Sequence, residues 1–169
     1  MKAALERFHY LGFGGAVGEN LLYLVREGQD RELACLVFGA AAWKCQARDR
    51  FIGWSTEQRP RHLGLIANHS RFLILPWVRV PHLASRILSR ISRRLARDWQ
   101  AKYGHPIVLL ETFVERERFA GTAYRAANWL AVGATSGRTR QDRHTSIHAP
   151  VKDIYLYPLR PDFREVLQG

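Results

Sequence analysis

Arg71-Phe72-Leu73-Ile74-Leu75-Pro76-Trp77-Val78-Arg79-Val80-Pro81 is the stretch on which the fold turns. An apolar run this dense suits a central strand covered on both faces. Pro76 has no N–H to give a ladder, so it marks a bulge or the point where pairing stops. Pro81, with its preset φ, suits the first position of a helix. Beyond it Leu83, Ala84, Ile87, Leu88, Ile91, Leu95 and Trp99 recur mainly at intervals of three and four. That spacing predicts a long helix to Tyr103, with Gly104 as its C-terminal stop. Ile107 to Val114 is a second core-type strand. Strand, helix and strand in this order predict a parallel pair.

The flanks build outward from that unit. Ala3 to Leu11 reads as a short helix ended by Gly12 and the Gly14–Gly15 pair. Asn20 to Arg26 and Arg31 to Phe38 read as strands around the turn Glu27-Gly28-Gln29-Asp30, hence a hairpin. Gly39 to Arg50 is ambiguous, and Phe51-Ile52-Gly53-Trp54 has the look of a short strand. Ser55-Thr56-Glu57-Gln58 fits a capping box, with a helix following it to about His69 and Pro60 delaying its start. On the C-terminal side, Gly121 to Trp129 predicts a short helix and Val132 to Thr135 a strand. Ser136 to Pro150 is a polar loop, and Ile154 to Leu159 is a last strand. The sum is one α/β domain, a mixed sheet flanked by helices.

At 169 residues, 47% of them hydrophobic, the chain can build one sizeable core. Its longest apolar run, Leu33 to Trp43, is broken by Gly39 and falls well short of the ~18 residues of a membrane span. Lys2 is followed by an amphipathic stretch with Glu6 and Arg7, not by a secretory leader. The expectation is a cytoplasmic protein with no membrane partner. Cys35 and Cys45 are too few for a disulfide scaffold, and neither has a second cysteine at metal-ligand spacing.

The net charge is +11, from 26 Lys+Arg against 15 Asp+Glu. Such an excess attracts polyanions, so nucleic acid is the expected partner. Only Lys2, Lys44, Lys102 and Lys152 are lysines. Arginine's planar fork suits phosphates and base edges, although a GC-rich genome produces the same preference. Arg86, Arg90, Arg93 and Arg97 repeat at four, three and four, which clusters them opposite the apolar side of the long helix. They form either a phosphate-tracking stripe or an ordinary solvated face. A second basic cluster, Arg138, Arg140 and Arg143, sits within Gly137 to Arg143 in the loop from Ser136 to Pro150; such loops often order on nucleic acid.

Candidate chemistry is sparser. Glu111 interrupts the apolar strand Leu109-Leu110-Glu111-Thr112-Phe113. A carboxylate there must be paired or face a cleft. It is either a base or substrate anchor with a raised pKa, or half of a structural ion pair with an arginine such as Arg71. Asp49, between Arg48 and Arg50, reads as an ion-paired edge residue that gains interest only if it faces Glu111. His144 and His148 stand four apart, but in a loop and without a third ligand, so no metal site is predicted. His9 is expected to pack in the first helix. No cofactor is specified.

The element order resembles the GNAT acyltransferase-like fold. The best local match is Ala123-Tyr124-Arg125-Ala126-Ala127-Asn128-Trp129-Leu130-Ala131-Val132-Gly133. In that superfamily the corresponding helix carries a Phe-Tyr or Leu-Tyr pair before a Gly-Phe and a strand. The resemblance implies that Tyr124 stands where a general-acid tyrosine often sits; the alternative is a core tyrosine with a satisfied hydroxyl. Asn128 then binds a substrate edge or serves a turn. The same superfamily holds acyl-CoA phosphates on a glycine-rich loop ahead of the long helix. Here that segment is Val78-Arg79-Val80-Pro81-His82-Leu83-Ala84-Ser85, without glycine and with one donor removed by Pro81. Arg79 and Arg86 flank it, so an anion can be held there or by Arg71, but the acyl-CoA pattern is missing.

A closer resemblance spans almost the whole chain. His9-Tyr10-Leu11-Gly12, Arg48-Asp49-Arg50-Phe51-Ile52-Gly53-Trp54 and the run from Arg71 to Val78 carry it. So do Leu110-Glu111-Thr112-Phe113-Val114, Tyr124 to Trp129 and Pro150-Val151-Lys152-Asp153-Ile154-Tyr155. Together they resemble the Druantia anti-phage system protein A domain, whose members also occur alone or fused to transposase-like proteins. The resemblance implies anti-phage defence or mobile-element biology, with defence or transposase proteins as partners, and it supplies no mechanism. Members often carry more sequence before the His-Tyr-Leu-Gly run, so this chain reads as a minimal form. An N-acyltransferase or related transferase using Glu111 and Tyr124 is the alternative.

Overall fold

The computed structural model describes residues 1–28, 31–137 and 149–169. A central strand–helix–strand unit forms, but its first strand lies upstream of the expected Arg71 to Val80. It starts at Ile66 and stops at Ile74, because Pro76 ends the pairing and residues 76–80 turn away as a loop. Strand β3 (Ile66–Ile74) leads through a short loop to α4 (Leu83–Tyr103) and on to β4 (Leu109–Glu115). The two strands are parallel, and they pair only from Ile66/Leu109 to Asn68/Glu111. Beyond those three residue pairs they part. Antiparallel neighbours extend the sheet on both sides: β1 (Leu21–Glu27) and β2 (Arg31–Ala40) beside β3, and β6 (Lys152–Pro158) and β5 (Leu130–Ala134) beside β4. The order is β1-β2-β3-β4-β6-β5.

Helix α4 covers one face. Ile87, Leu88, Ile91, Leu95 and Trp99 meet Ala34, Leu36, Phe38, Ala67 and Leu110 there. The short helix α5 (Thr122–Ala126) joins this layer, followed by Trp129. Gly104 ends α4 with φ +77°, the left-handed stop its position predicts. The opposite face is covered in two separate halves. Leu5 of α1 (Lys2–Phe8), with Phe13, packs on Leu33, Cys35, Val37 and Leu73. Helices α2 (Gln46–Ile52) and α6 (Phe163–Gln168) place Ile52, Phe163 and Leu167 on Leu109, Ile154 and Leu156. Among the described residues no helix is long and apolar enough to cross a membrane.

Two further local expectations are corrected. Phe51 to Trp54 is not a strand: α2 runs to Ile52 and stops on Gly53 at φ +81°. Arg48 and Ile52, one helical turn apart, are both buried, and that helical spacing overrides the short aromatic run. The capping box does form, with Ser55 N–H donating to Gln58 Oε1 (2.7 Å) and Gln58 N–H to Ser55 Oγ (3.2 Å). The helix it opens, α3 (Gln58–His62), gives way to a 3₁₀ turn at Leu63–Leu65 instead of continuing to His69. Ladder partners on both β2 and β4 pull residues 66–69 into the sheet. Helix α6 was not anticipated; Gln168 Nε2 ties it to the Ile52 carbonyl (2.6 Å). Pro76 acts as predicted, since the last bond to β2 is from Leu75 N–H to the Leu33 carbonyl (2.9 Å).

Leu95 is fully buried between α4 and the sheet. Leu95→Ala is expected to lower the unfolding free energy by about 2–5 kcal/mol. Urea titration should show a lower midpoint at unchanged slope.

Candidate functional site

A cleft of about 960 Å³ opens where β3 and β4 part. That is within the roughly 300–1,000 Å³ range of small-molecule sites. Its floor is residues 68–74 of β3 and 112–114 of β4. One wall is residues 8–11, at the end of α1 and beyond it, and the other is residues 118–124, which run into α5. A bulge in β3 shapes the floor: Phe38 pairs with His69 and Val37 with Arg71, leaving Ser70 between them. Side chains take over where the ladder ends. The Thr112 hydroxyl donates to the His69 carbonyl (2.9 Å), and Arg71 donates to the carbonyls of Gly12 (2.9 Å) and Ser70 (2.8 Å).

Tyr124 stands on this floor, and its hydroxyl lies 3.1 Å from His69 Nδ1 and 3.5 Å from Thr112 Oγ1. Burial raises the Tyr124 pKa, so the phenol stays protonated. His69 is buried against Phe38, ring stacked on ring at 4.3 Å. Burial draws its pKa down to about 3, so the imidazole is neutral at physiological pH. Among the described residues His69 Nε2 and Asn68 Oδ1 are buried without a hydrogen-bond partner. Sequence reasoning missed His69 because the predicted helix ran over it. The signal was the polar triplet Asn68-His69-Ser70 between Ile66-Ala67 and Phe72-Leu73.

Glu111 is elsewhere. Successive residues of β4 point to opposite faces, so Thr112 faces α5 while Glu111 faces α2. Its carboxylate accepts from Arg48 Nη1 (2.8 Å) and from the Ala42 N–H (2.6 Å). Glu111 and Arg48 are both fully buried. Arg48 also donates to the Ala42 carbonyl (2.7 Å) and to Asp49 Oδ1, which Nη2 reaches at 2.8 Å. Burial pushes the Glu111 carboxyl up, against Arg48 and the Ala42 N–H, and the short contacts to both are those of a carboxylate. The structural ion pair is therefore the one formed, with Arg48 in place of Arg71. Glu111 and Tyr124 do not converge.

The remaining candidates separate as well. Asp49 binds Arg48 and Arg59 (3.4 Å) at the edge of α2 and reaches Glu111 only through the shared Arg48. Asn128 is exposed in the turn after α5, at φ +63°. Arg79 is exposed and donates to the Pro76 carbonyl (2.6 Å) in the loop before α4, whose left-handed position is filled by His82 at φ +57°. Arg71 lines the cleft. His9 lies just past α1; burial and Arg71 hold its pKa down at about 4.

Arg86, Arg90, Arg93 and Arg97 are all exposed on α4, as the spacing predicts. Asp98 is the one acidic residue of that helix. Arg86, Arg90 and Arg93, with Ser85, Ser89 and Ala126 of α5, line a second hollow of about 410 Å³. Arg93 is held by Ser89, Nη2 to Oγ at 3.1 Å. Arg138, Arg140, Arg143, His144 and His148 lie outside the described residues. Of the tryptophans, Trp54 is buried, while Trp77 is exposed and meets Phe8 edge-on at 5.6 Å.

The sequence matches the family model of Druantia protein DruA over residues 1–149, a match that ends before β6. No curated protein matches it. Among solved structures it is similar to an acetyltransferase of the GNAT family from Streptococcus pneumoniae, with TM-score 0.51 and 10% identity over 83% of this chain and 67% of that one. It is also similar to an insect protein assigned as arylalkylamine N-acetyltransferase 7, from the yellow fever mosquito Aedes aegypti. There the TM-score is 0.50 and the identity 15%, over 83% of this chain and 65% of that one. The mixed sheet flanked by helices is thus a GNAT-like fold, spanning about two thirds of each acetyltransferase.

Glu111→Ala should lower stability by about 3–5 kcal/mol, because it strands the buried Arg48 charge. A double replacement, Arg48→Met with Glu111→Leu, should recover much of that loss in thermal melts. His69 carries a pH signature. Its folded pKa, about 3, lies below the ordinary 6.5, so the unfolded chain takes up the proton first. Its contribution is whole above pH 6.5 and is lost as the pH falls toward 3. Denaturant titrations between pH 6.5 and 4.5 should show falling stability, and His69→Gln should remove about half of the fall, His9 with its pKa held at about 4 carrying a comparable share.

Proposed function

The chain belongs to the Druantia protein DruA family, and on that premise we propose a nucleic-acid-associated accessory domain of bacterial anti-phage defence or mobile elements. The observation that carries the reading is the arginine face of α4. Arg86, Arg90, Arg93 and Arg97 are exposed along one helix in which only Asp98 is acidic. Such a row suits the phosphates of a strand, whose binding releases condensed counterions. Ser85 and Ser89 beside the arginines add neutral donors to the same hollow. The net charge of +11 extends the attraction beyond contact distance.

An acyl-CoA role has less support. The loop between β3 and α4 has no glycine, and Glu111 is committed to Arg48 away from the cleft. One observation favours a transferase: the protonated Tyr124 hydroxyl on the cleft floor, bonded to His69. Calorimetry with acyl-CoA donors tests it, and no heat of binding with any CoA species removes it.

Binding to duplex and single-stranded oligonucleotides should weaken linearly in log affinity against log salt. Arg86→Ala, Arg90→Ala and Arg93→Ala combined should reduce the slope by about 3 if each arginine meets one phosphate. Undetectable binding at near-physiological salt, for duplex and single strands alike, would sink the reading.

A further inference from the structure

We propose that the cleft between β3 and β4 receives an unpaired base of a single strand, stacked on the aromatic rim at its mouth. This inference rests on the nucleic-acid reading above and deepens it, since the arginine face of α4 holds phosphates and says nothing about bases.

Three independent features of the cleft meet in such a ligand. The first is the rim. Phe8, Tyr10 and Phe119 line the cleft, yet remain 37%, 39% and 47% exposed. Guanidinium groups already lie over two of these rings, Arg7 over Phe8 (5.2 Å) and Arg118 over Tyr10 (5.1 Å). A base is the other planar partner that ring faces accept in single-strand binding. Arg118, 56% exposed, is paired with Glu115 (2.9 Å), and a base that takes its place over Tyr10 leaves that pair intact.

The second feature is charge. Among the described lining residues there is no Asp or Glu, while Arg71, Arg118 and Lys152 are present. An apolar peptide has no use for that imbalance, and a polyanion does. The third is the floor. His69 Nε2 and Asn68 Oδ1 are buried polar atoms without partners, on residues that line the cleft. The two side chains leave opposite faces of β3, so a base edge, with its donors and acceptors, can answer one of them. A base in a duplex is stacked and paired, so only an unpaired one can enter.

The test compares strands with equal numbers of phosphates: an oligothymidylate, an oligouridylate and a wholly abasic strand. Fluorescence anisotropy at one salt concentration is expected to show a base-bearing strand bound about ten- to a hundredfold tighter than the abasic one. The DNA and RNA arms tell which sugar is preferred. Tyr10→Ala with Phe119→Ala should abolish most of that preference while leaving the salt slope unchanged, and Tyr10→Phe should keep it. Both replaced side chains are partly exposed, and circular dichroism confirms folding. Equal affinity for abasic and base-bearing strands overturns the base pocket while leaving phosphate binding by α4 intact. A preference that survives the double replacement also overturns it. No binding to any strand overturns both readings together.

Discussion

The parallel contact between β3 and β4 lasts only from Ile66/Leu109 to Asn68/Glu111, and the rest of the site depends on that brevity. Two strands that part leave carbonyls and N–H groups without ladder partners. The molecule answers with side chains: Thr112 donates to the His69 carbonyl, and Arg71 to those of Ser70 and Gly12. Those bonds hold the gap open as a cleft and bring the segment after α1 to its wall. The polar run Asn68-His69-Ser70, awkward inside an otherwise apolar strand, falls where the strands separate.

A second constraint works on the other face of β4. The Arg48–Glu111 pair is fully buried, and such pairs contribute little net stability once desolvation is counted. Its role is specificity of arrangement. Glu111 and Arg48 both bind Ala42, one through its N–H and the other through its carbonyl. The segment between β2 and α2 is thereby tied to the centre of the sheet. A carboxylate that looks catalytic in an apolar strand is here the fastener of a loop.

A GNAT-like fold is thus present without the glycine-rich loop that would hold an acyl-CoA. Positive groups gather on the outer side of α4 and around the cleft, while the cleft's described lining holds no carboxylate. A fold hosts many chemistries, and the residues placed on it decide among them. On these residues the features that stand out are cations, exposed aromatic rings and unpartnered polar atoms.

The sequence by itself determined the scaffold. The spacing of Leu83 to Trp99 and Gly104 after it define α4, because helical periodicity and C-terminal caps are local properties, whereas Pro81 lies ahead of the helix, which starts at Leu83 after a left-handed His82. The dense apolar run at 107–114 marks β4 for the same reason, and the exposed arginine row follows from the same periodicity, whereas the run at 71–75 covers only the end of β3 beyond its parallel pairing. Only the tertiary structure decided which residues meet. Whether Glu111 faces Tyr124 or Arg48 turns on which face of β4 each position occupies and where α2 packs, neither of which is written in neighbouring residues. Residues 66–69 read as helix until β2 and β4 supply their ladder bonds, and so His69 was hidden. The cleft exists only once two strands distant in sequence are paired and then part, an arrangement no local pattern encodes.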